Sequence, residues 1–450
     1  MADLRLSTLV DEGLGNAAYV LDLGDGGALV VDPSRDLRQV RQAIERQGLR
    51  PRLTAETHLH ADFVSGARQL EATDHAEILA SSAGGRAFAH RGLADGDEVD
   101  LGGLTLRALG TPGHTDEHLS YLLLDGAKPL GVFTGGSLLV GAAARTDLVD
   151  PARTEELARA QYRSIQRLIE LPDEVAVWPT HGAGSFCSAP AGADRTSTIG
   201  AEKTGNALLA ADGEDDFVAR LLAGLGEYPT YFDRLGEVNR RGPSVTAEPP
   251  ALQPLTAGDV RGLTGAGAVI VDVRTAEAFA DAHVPGAVAI PLRSVFATWL
   301  GWVVPPATPV VIVRDPGQDP AEIAWQATKI GHDLAGELDG GMAAWDGPVT
   351  AIPYLDATAA ADRLDTATVV DVRQEAEFRA GHVPSAIGIA LGHLAEAPLP
   401  TGPLLTVCGH GERAMTGASL AARRGAEVAV LSGGSEDLAK AAGTVLETGA

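Results

Sequence analysis

The chain has 450 residues, 45% of them hydrophobic, which is too long for a single core and predicts about three domains. Its formal charge of −25 argues against nucleic acid and anionic membranes as partners. The N-terminal stretch lacks the pattern of a signal peptide, and no run of about eighteen apolar residues occurs, so a cytoplasmic protein is expected. With only two cysteines, Cys187 and Cys408, a disulfide framework is ruled out.

Apolar periodicity in the first half of the chain predicts alternating strands and helices. A hairpin is expected over residues 17–32 around a Gly-Asp-Gly-Gly turn, followed by a helix over 37–47. The remaining predicted elements are a strand at 52–57, a helix at 64–71, and strands at 104–109, 129–134 and 174–179. This alternation favours a layered α/β fold.

Histidines follow three of these predicted strands. His58, His60 and Asp62 lie at alternate positions after the strand at 52–57, so their side chains share a face in extended or turn backbone. His114 and His181 follow two later strands. Imidazole and carboxylate groups are ligands for divalent cations, and three strand exits in order predict a metal site. A polar loop whose histidines meet solvent is the alternative for an isolated His-x-His pair.

The second half of the chain contains an internal repeat. Residues 231–255 read as the end of the first domain and a Pro-rich, semi-extended linker. Residues 268–287 then return as 367–386, a shift of 99 positions, which is too long for a solenoid and indicates a duplicated domain. Each copy continues with a second apolar strand, at 310–313 or 404–407, and predicts a parallel sheet with helices on both faces.

The loop after that second strand distinguishes the copies. In the last one it is Cys408, Gly409, His410, Gly411, Glu412 and Arg413, ahead of a helix predicted over 414–423. Inward N–H groups of a Gly-containing loop and a helix N-terminus both lower a thiol pKa and stabilise a persulfide anion. A buried, inert cysteine is the alternative. The earlier copy has Arg314 and Asp319 at the corresponding positions and therefore reads as a structural spacer or docking surface.

Several short sequence motifs in this chain resemble those of known protein families. THLHAD, TPGHT, FTGGSLLVG, RTDL and THGAGS are similar to the metallo-β-lactamase superfamily, in its persulfide dioxygenase and glyoxalase II branch. The DVR, EF and HVPGA phrases and the CGHGERA loop resemble rhodanese domains. The resemblance implies an αββα sandwich at 1–235, a linker at 236–253, and two rhodanese-like α/β domains with parallel sheets, inactive at 254–350 and active at 353–450.

The resemblance also implies a set of site residues. His58, His60, Asp62, His114 and His181 would be metal ligands, Cys408 the sulfur nucleophile and Arg413 its anion-stabilising partner. Two residues depart from the family pattern, because Gly136 replaces an aspartate ligand and Phe63 replaces a histidine. These departures favour a mononuclear site, with iron or alternatively zinc, whose third ligand is open between His60, Asp62 and water.

The function that the resemblance implies is oxidation of a low-molecular-weight persulfide by O2 to sulfite and thiol, with sulfane sulfur passing through Cys408 to or from thiosulfate. Cys187, six residues after His181, is a candidate sulfur acceptor, with a packed cysteine as the alternative. Two other functions stay open, a glyoxalase II-like thioester hydrolase and a sulfur carrier whose metal domain has lost catalysis. The expected partners are small persulfides or thiols, sulfite or thiosulfate, and O2, without nucleic acid or membrane. Dimers are common among the resembling proteins, so a homo-oligomer is compatible.

Overall fold

The computed structural model describes residues 4–187 and 194–449. The chain divides into two compact units, residues 1–249 with 328–331, and residues 250–327 with 332–450. Each unit has its own sheets and is described separately. No helix in the described part of the chain combines the length and apolarity that a membrane span requires.

The first unit is built from two mixed six-stranded sheets, ordered β1-β2-β3-β4-β5-β6 and β14-β13-β10-β9-β8-β7. Its strands are β1 Leu6–Asp11, β2 Asn16–Asp22, β3 Gly27–Val31, β4 Arg50–Ala55, β5 Glu77–Ser81, β6 Arg91–Leu93, β7 Glu98–Asp100, β8 Thr105–Gly110, β9 Leu119–Asp125, β10 Lys128–Gly135, β11 Leu138–Leu139, β12 Ala142–Ala143, β13 Ala176–Pro179 and β14 Ser197–Thr198. Its helices are α1 Arg38–Gln47, α2 Ala67–Asp74, α3 Thr154–Ile169, α4 Ile199–Gly205, α5 Glu214–Ala223 and α6 Phe232–Arg241.

Three apolar layers hold these sheets together. Tyr19 and Leu29 of the first sheet pack with Tyr121 and Phe133 of the second, so one core lies between the two sheets. The outer face of the first sheet packs against α1 and α2, and that of the second packs against α3 and α5. The order helix, sheet, sheet, helix is the predicted αββα sandwich, produced because successive strand residues point to opposite faces and both faces are apolar.

Two differences between the observed and the predicted elements are the largest. Helix α2 begins at Ala67 rather than at residue 64, because Ser65 pairs with Ser34 in an isolated antiparallel bridge. The predicted linker at 236–253 begins inside helix α6, which has Phe232, Leu235 and Asn239 buried on one face. Its first six residues are therefore helical rather than extended, and the first unit runs on to residue 249. The exact boundaries of the predicted domains stay predictions.

The second unit contains two five-stranded parallel sheets, ordered β15-β19-β18-β16-β17 and β20-β24-β23-β21-β22. Its strands are β15 Pro254–Leu255, β16 Val269–Asp272, β17 Val288–Ala289, β18 Val310–Val313, β19 Leu334–Leu338, β20 Tyr354–Leu355, β21 Thr368–Asp371, β22 Ile387–Gly388, β23 Leu404–Cys408 and β24 Val428–Gly434. Its helices are α7 Ala257–Gly265, α8 Ala276–Asp281, α9 Phe296–Val303, α10 Pro320–Lys329, α11 Ala357–Ala361, α12 Glu375–Ala380, α13 Glu412–Arg423 and α14 Ser435–Ala441.

The two sheets repeat the same local contacts as well as the same strand order. Arg274 forms a bidentate pair with Asp272 and donates to the Ala282 carbonyl, at 2.7 and 2.8 Å. Arg373 and Asp371 repeat this arrangement in the second copy, with a bond from Arg373 to the Gly381 carbonyl. The Asp-Val-Arg charges therefore fix equivalent loops in both copies.

Candidate metal centre and sulfur-carrying loop

Three strand exits of the first unit bring the predicted histidines together. β4, β8 and β13 end three, four and two residues before His58, His114 and His181. The ring centroids of His58 and His114 lie 4.8 Å apart, and those of His114 and His181 lie 5.3 Å apart. All three side chains are buried, so a loop of solvated histidines is excluded.

Hydrogen bonds fix the tautomers of His58 and His60. The Thr57 hydroxyl donates to Asp32 at 2.7 Å and so accepts from His58 Nδ1 at 2.8 Å, which leaves Nε2 of His58 as the unprotonated nitrogen. His60 donates Nε2–H to the same Asp32 at 3.2 Å. Its Nδ1 is buried and has no hydrogen-bond partner within the described residues, so it is available as a ligand.

His114 and His181 are also oriented by hydrogen bonds from Nδ1. His114 donates Nδ1–H to the Arg145 carbonyl at 2.7 Å. His181 donates Nδ1–H to Asn16 Oδ1 at 3.0 Å, and the amide of Asn16 donates to Asp62 at 2.8 Å. In both rings Nε2 is then the nitrogen with a free lone pair. Nε2 of His181 lies 3.2 Å from Nε2 of His58, a separation that either a proton shared by the two rings or a cation beside both nitrogens accounts for.

Within residues 4–187 and 194–449, two groups of side chains have the geometry to hold a metal ion. One consists of His58, His60 and His181, and the other of His114, His181 and Cys187. In each group the ligand atoms lie within 4.8 Å of one another and every residue is buried. Asp62 Oδ1 is also buried and without a hydrogen-bond partner among these residues. The nitrogen, sulfur and oxygen donors fit a divalent metal ion, and His181 rather than His114 completes the group of His58 and His60.

Burial lowers the pKa of two histidines in this cluster, whereas at His60 burial is outweighed by the Asp32 carboxylate, which raises the pKa. Burial and the neighbouring histidines hold the pKa of His58 well below its usual range, and burial together with His181 lowers the pKa of His114 to about 3. Burial alone would raise the pKa of Asp62, but His181 and Asn16 lower it to about 2. Neutral imidazoles facing a carboxylate are the forms that bind a cation. Burial and Asp62 raise the pKa of the Cys187 thiol well above its usual range.

The second candidate site is the loop at the end of β23. Cys408 is the last residue of that strand, and the Gly411 N–H donates to its Sγ at 3.1 Å. Gly411 has φ +90°, and a Cβ there would lie 2.5 Å from the Tyr354 hydroxyl, so only glycine fits. Helix α13 begins at the next residue, which directs its N-terminus toward the sulfur.

Arg413 is held by a carboxylate beside this loop. Its guanidinium forms a bidentate pair with Glu377 at 2.7 and 2.8 Å. Burial alone would raise the pKa of Glu377, but the bonds and charge of Arg413 lower it below its ordinary value. A cavity of about 480 Å³ lies beside the loop, lined in part by Gly409, His410 and Glu377. The loop therefore has room for a small molecule at its side.

Comparison with known families agrees with this architecture. The model described as the metallo-beta-lactamase superfamily matches residues 11–181. The model described as the rhodanese-like domain matches residues 256–347 and 356–441. The chain is a metallo-β-lactamase superfamily domain joined to two rhodanese-like domains. The predicted fold is confirmed.

Individual relatives match this fusion in part. A metallo-beta-lactamase structure from Staphylococcus aureus subsp. aureus COL has a TM-score of 0.66 and 28% identity, covering 74% of this chain and 98% of that one. The mitochondrial persulfide dioxygenase ETHE1 of Homo sapiens is 27% identical over 192 residues, 42% of this chain and 68% of that protein. A hydroxyacylglutathione hydrolase of Gloeobacter violaceus is 35% identical over 181 residues, 39% of this chain and 66% of that protein. The chain spans 58 to 68% of the length of the first four curated relatives that it matches.

The two departures in the metallo-β-lactamase domain have direct structural consequences. A Cβ at Gly136 would lie 2.2 Å from Cδ2 of His114, so the imidazole ring fills the place of the missing side chain. The Phe63 ring stacks on His60 with centroids 4.2 Å apart. His118 does not replace either lost ligand, because its Nε2 accepts the Gly136 N–H at 2.9 Å and its Nδ1 contacts the Thr111 hydroxyl.

The first rhodanese-like domain has a closed loop instead of a sulfur site. Arg314 directly follows β18, where its guanidinium pairs with Glu337 and donates to the carbonyls of Asp315 and Gln318. The Arg314 guanidinium donates to the carbonyl groups of its own loop, and it is not a nucleophile. The contacts agree with the structural role predicted for this copy.

Sequence reasoning missed the residues that orient the ligands. Asp32, with φ +48°, accepts from Thr57, His60 and Thr180, and its position directly after an apolar strand could have indicated this role. Gln161 on α3 accepts from the His114 N–H and donates to the Gly136 carbonyl. No local pattern marks Gln161, because its partners lie 25 and 47 positions away.

Proposed function

We propose that this chain is an enzyme of sulfur metabolism with two linked chemistries. The metallo-β-lactamase domain oxidises a low-molecular-weight persulfide, R–S–SH + O2 + H2O giving R–SH + SO3²⁻ + 2 H⁺. The second rhodanese-like domain transfers sulfane sulfur, Cys408–S–S⁻ + SO3²⁻ giving Cys408–S⁻ + S2O3²⁻, in either direction. Sulfite made by the first reaction is the acceptor of the second, and joining both sites in one chain raises its local concentration.

The observation that carries this proposal is the environment of Cys408. The thiol ends a parallel strand, where it accepts the Gly411 N–H beside the start of α13, and the N–H donor and the helix N-terminus both favour a thiolate or persulfide anion. In this role Cys408 is the nucleophile that forms and breaks the sulfur–sulfur bond. Arg413, held by Glu377, is the cation that balances the incoming sulfite or thiosulfate.

The metal cluster supports the oxidative half. A bound iron would supply the redox chemistry that couples persulfide oxidation to O2 reduction. His58 and His60 would hold it, with Asp62 as the carboxylate in place of the one lost at position 136. Asp32 accepts from Nε2 of His60, and the Asn16 amide donates to Asp62, so both candidate ligands are held in position by outer-shell partners. The 27% identity to a persulfide dioxygenase is in keeping with this assignment.

A second candidate is a sulfur carrier whose metal domain binds a cation without turnover. It is favoured by one observation, that the candidate ligands from His58 to Cys187 are all 1% exposed or less. Catalytic metals need an open position for substrate, whereas structural ones are closed. Under this alternative only Cys408 carries chemistry.

Metal analysis and two assays on the purified chain separate these functions. Near-stoichiometric iron with rapid O2 uptake on glutathione persulfide supports the proposal. Zinc with thioester cleavage would identify a hydrolase, and thiosulfate sulfurtransfer without O2 uptake would identify a carrier. Cys408→Ser should abolish sulfurtransfer and leave O2 uptake and metal content unchanged. Loss of both activities in that variant would contradict the two-site scheme.

A further inference from the structure

Cys187 lies inside the metal cluster rather than in an apolar core. Its Sγ and the ligand nitrogens of His114 and His181 are within 4.8 Å of one another, and the residue is completely buried. Two imidazoles and the Asp62 carboxylate lie beside it, an arrangement with no apolar packing role.

The backbone around Cys187 is fixed by the same residue that orients His114. The Arg145 N–H donates to the Cys187 carbonyl at 2.8 Å, and the Arg145 carbonyl accepts from His114 Nδ1 at 2.7 Å. The Arg145 guanidinium also donates to the Phe186 carbonyl at 3.0 Å. One residue thus sets the distance between the thiol and the imidazole, which is how outer-shell groups build a ligand set.

The donor atoms that converge here need a cation. Nε2 of His114 and Nε2 of His181 are the unprotonated nitrogens of their rings, because Nδ1 of each donates elsewhere. The Asp62 carboxylate interacts with the Cys187 thiol and is not one of the three converging ligands. A sulfur and two imidazole nitrogens are donor types of a zinc-like site.

We infer that Cys187 is a metal ligand, and that its thiolate binds one divalent, thiophilic cation together with His114 and His181. Binding converts Cys187–SH and M²⁺ to a sulfur–metal bond and releases one proton to solvent. Metal–ligand bonds of about 2.0–2.3 Å require ligand atoms roughly 3.3–3.6 Å apart, so the group closes slightly around the ion. Cys187 adds one ligand at a centre where Phe63 and Gly136 have removed two.

This inference predicts sulfur coordination in a chain with only one other cysteine. The full-length protein, freed of metal by chelation, is loaded with Co²⁺. Wild type and Cys408→Ser should both show a near-ultraviolet thiolate-to-cobalt charge-transfer band. Cys187→Ser should lose the band and bind zinc at least about tenfold more weakly, since even outer-shell losses cost about 10–100-fold.

A second measurement does not depend on how the Cys187 variant folds. X-ray absorption of zinc-loaded Cys408→Ser should show a sulfur neighbour at about 2.3 Å, which Cys187 supplies. Zinc surrounded only by nitrogen and oxygen, or a cobalt spectrum unchanged by Cys187→Ser, would overturn the inference. The readouts are independent of persulfide turnover. Stoichiometric metal without a sulfur ligand would therefore contradict this inference alone, and absent O2 uptake would contradict the proposed oxidation alone.

Discussion

Gly136 gives the sharpest test of the metal-site geometry. Its φ is not in the left-handed region, so its backbone accepts any residue, and the only obstacle to a side chain is space. A Cβ would lie 2.2, 2.8 and 2.9 Å from Cδ2, Cγ and Nε2 of His114, well inside van der Waals contact. Alanine at this position must therefore displace the imidazole, although alanine normally costs nothing in a loop of this kind.

The expected cost follows from what that displacement breaks. Overpacking a buried site costs about 1–3 kcal/mol, and separating His114 Nδ1 from the Arg145 carbonyl leaves both buried groups unpaired at about 1–3 kcal/mol more. Gly136→Ala should thus lose about 2–6 kcal/mol of unfolding free energy in a urea titration. Gly136→Asp should lose at least as much without metal, since its carboxylate is also buried.

Gly236→Ala is the matched control. It lies in helix α6 with no atom within 4 Å of its added Cβ, and alanine there should stabilise the helix by up to about 1 kcal/mol. If Gly136→Ala unfolded at the wild-type urea concentration while Gly236→Ala behaved as expected, His114 would not fill the place of the lost aspartate. The position of His114 beside Cys187 would then be wrong as well.

Three further predictions concern the residues around the two sites. Asp32→Asn should cost about 1–3 kcal/mol in urea unfolding and weaken zinc binding about tenfold, because an amide cannot accept from all the donors that face it. Arg314→Ala should cost about 1–3 kcal/mol by leaving Glu337 unpaired, with unchanged thiosulfate sulfurtransfer. The lowered pKa of Glu377 means that its pair with Arg413 stabilises the fold above the ordinary value of 4.5 and is lost as pH falls through the lower folded value. Glu377→Gln should therefore flatten the acid side of the unfolding profile, and an unchanged profile would refute the pairing.

The sequence predicted those parts of the fold that local patterns encode. Apolar alternation located the strands before His58, His114 and His181, and the repeat located both parallel sheets. The helical start of the predicted linker was not anticipated, because the following Pro-rich stretch dominates the composition of that segment, while the buried face of α6 depends on contacts with distant residues. The role of Asn16 could not be predicted either, because its partners Asp62 and His181 are 46 and 165 positions away in the sequence.

The altered ligands are best understood as one coordinated change rather than as separate losses. Each of the four imidazoles uses one nitrogen for an outer-shell partner and directs the other toward the cluster. Gly136 admits the His114 ring, and that ring reaches His181 and Cys187 only because no side chain stands there. The proposed cation would explain why Nε2 of His58 and Nε2 of His181 lie 3.2 Å apart, and why Nδ1 of His60 has no hydrogen-bond partner among the described residues. Without a cation, such an unpaired buried nitrogen costs about 1–3 kcal/mol.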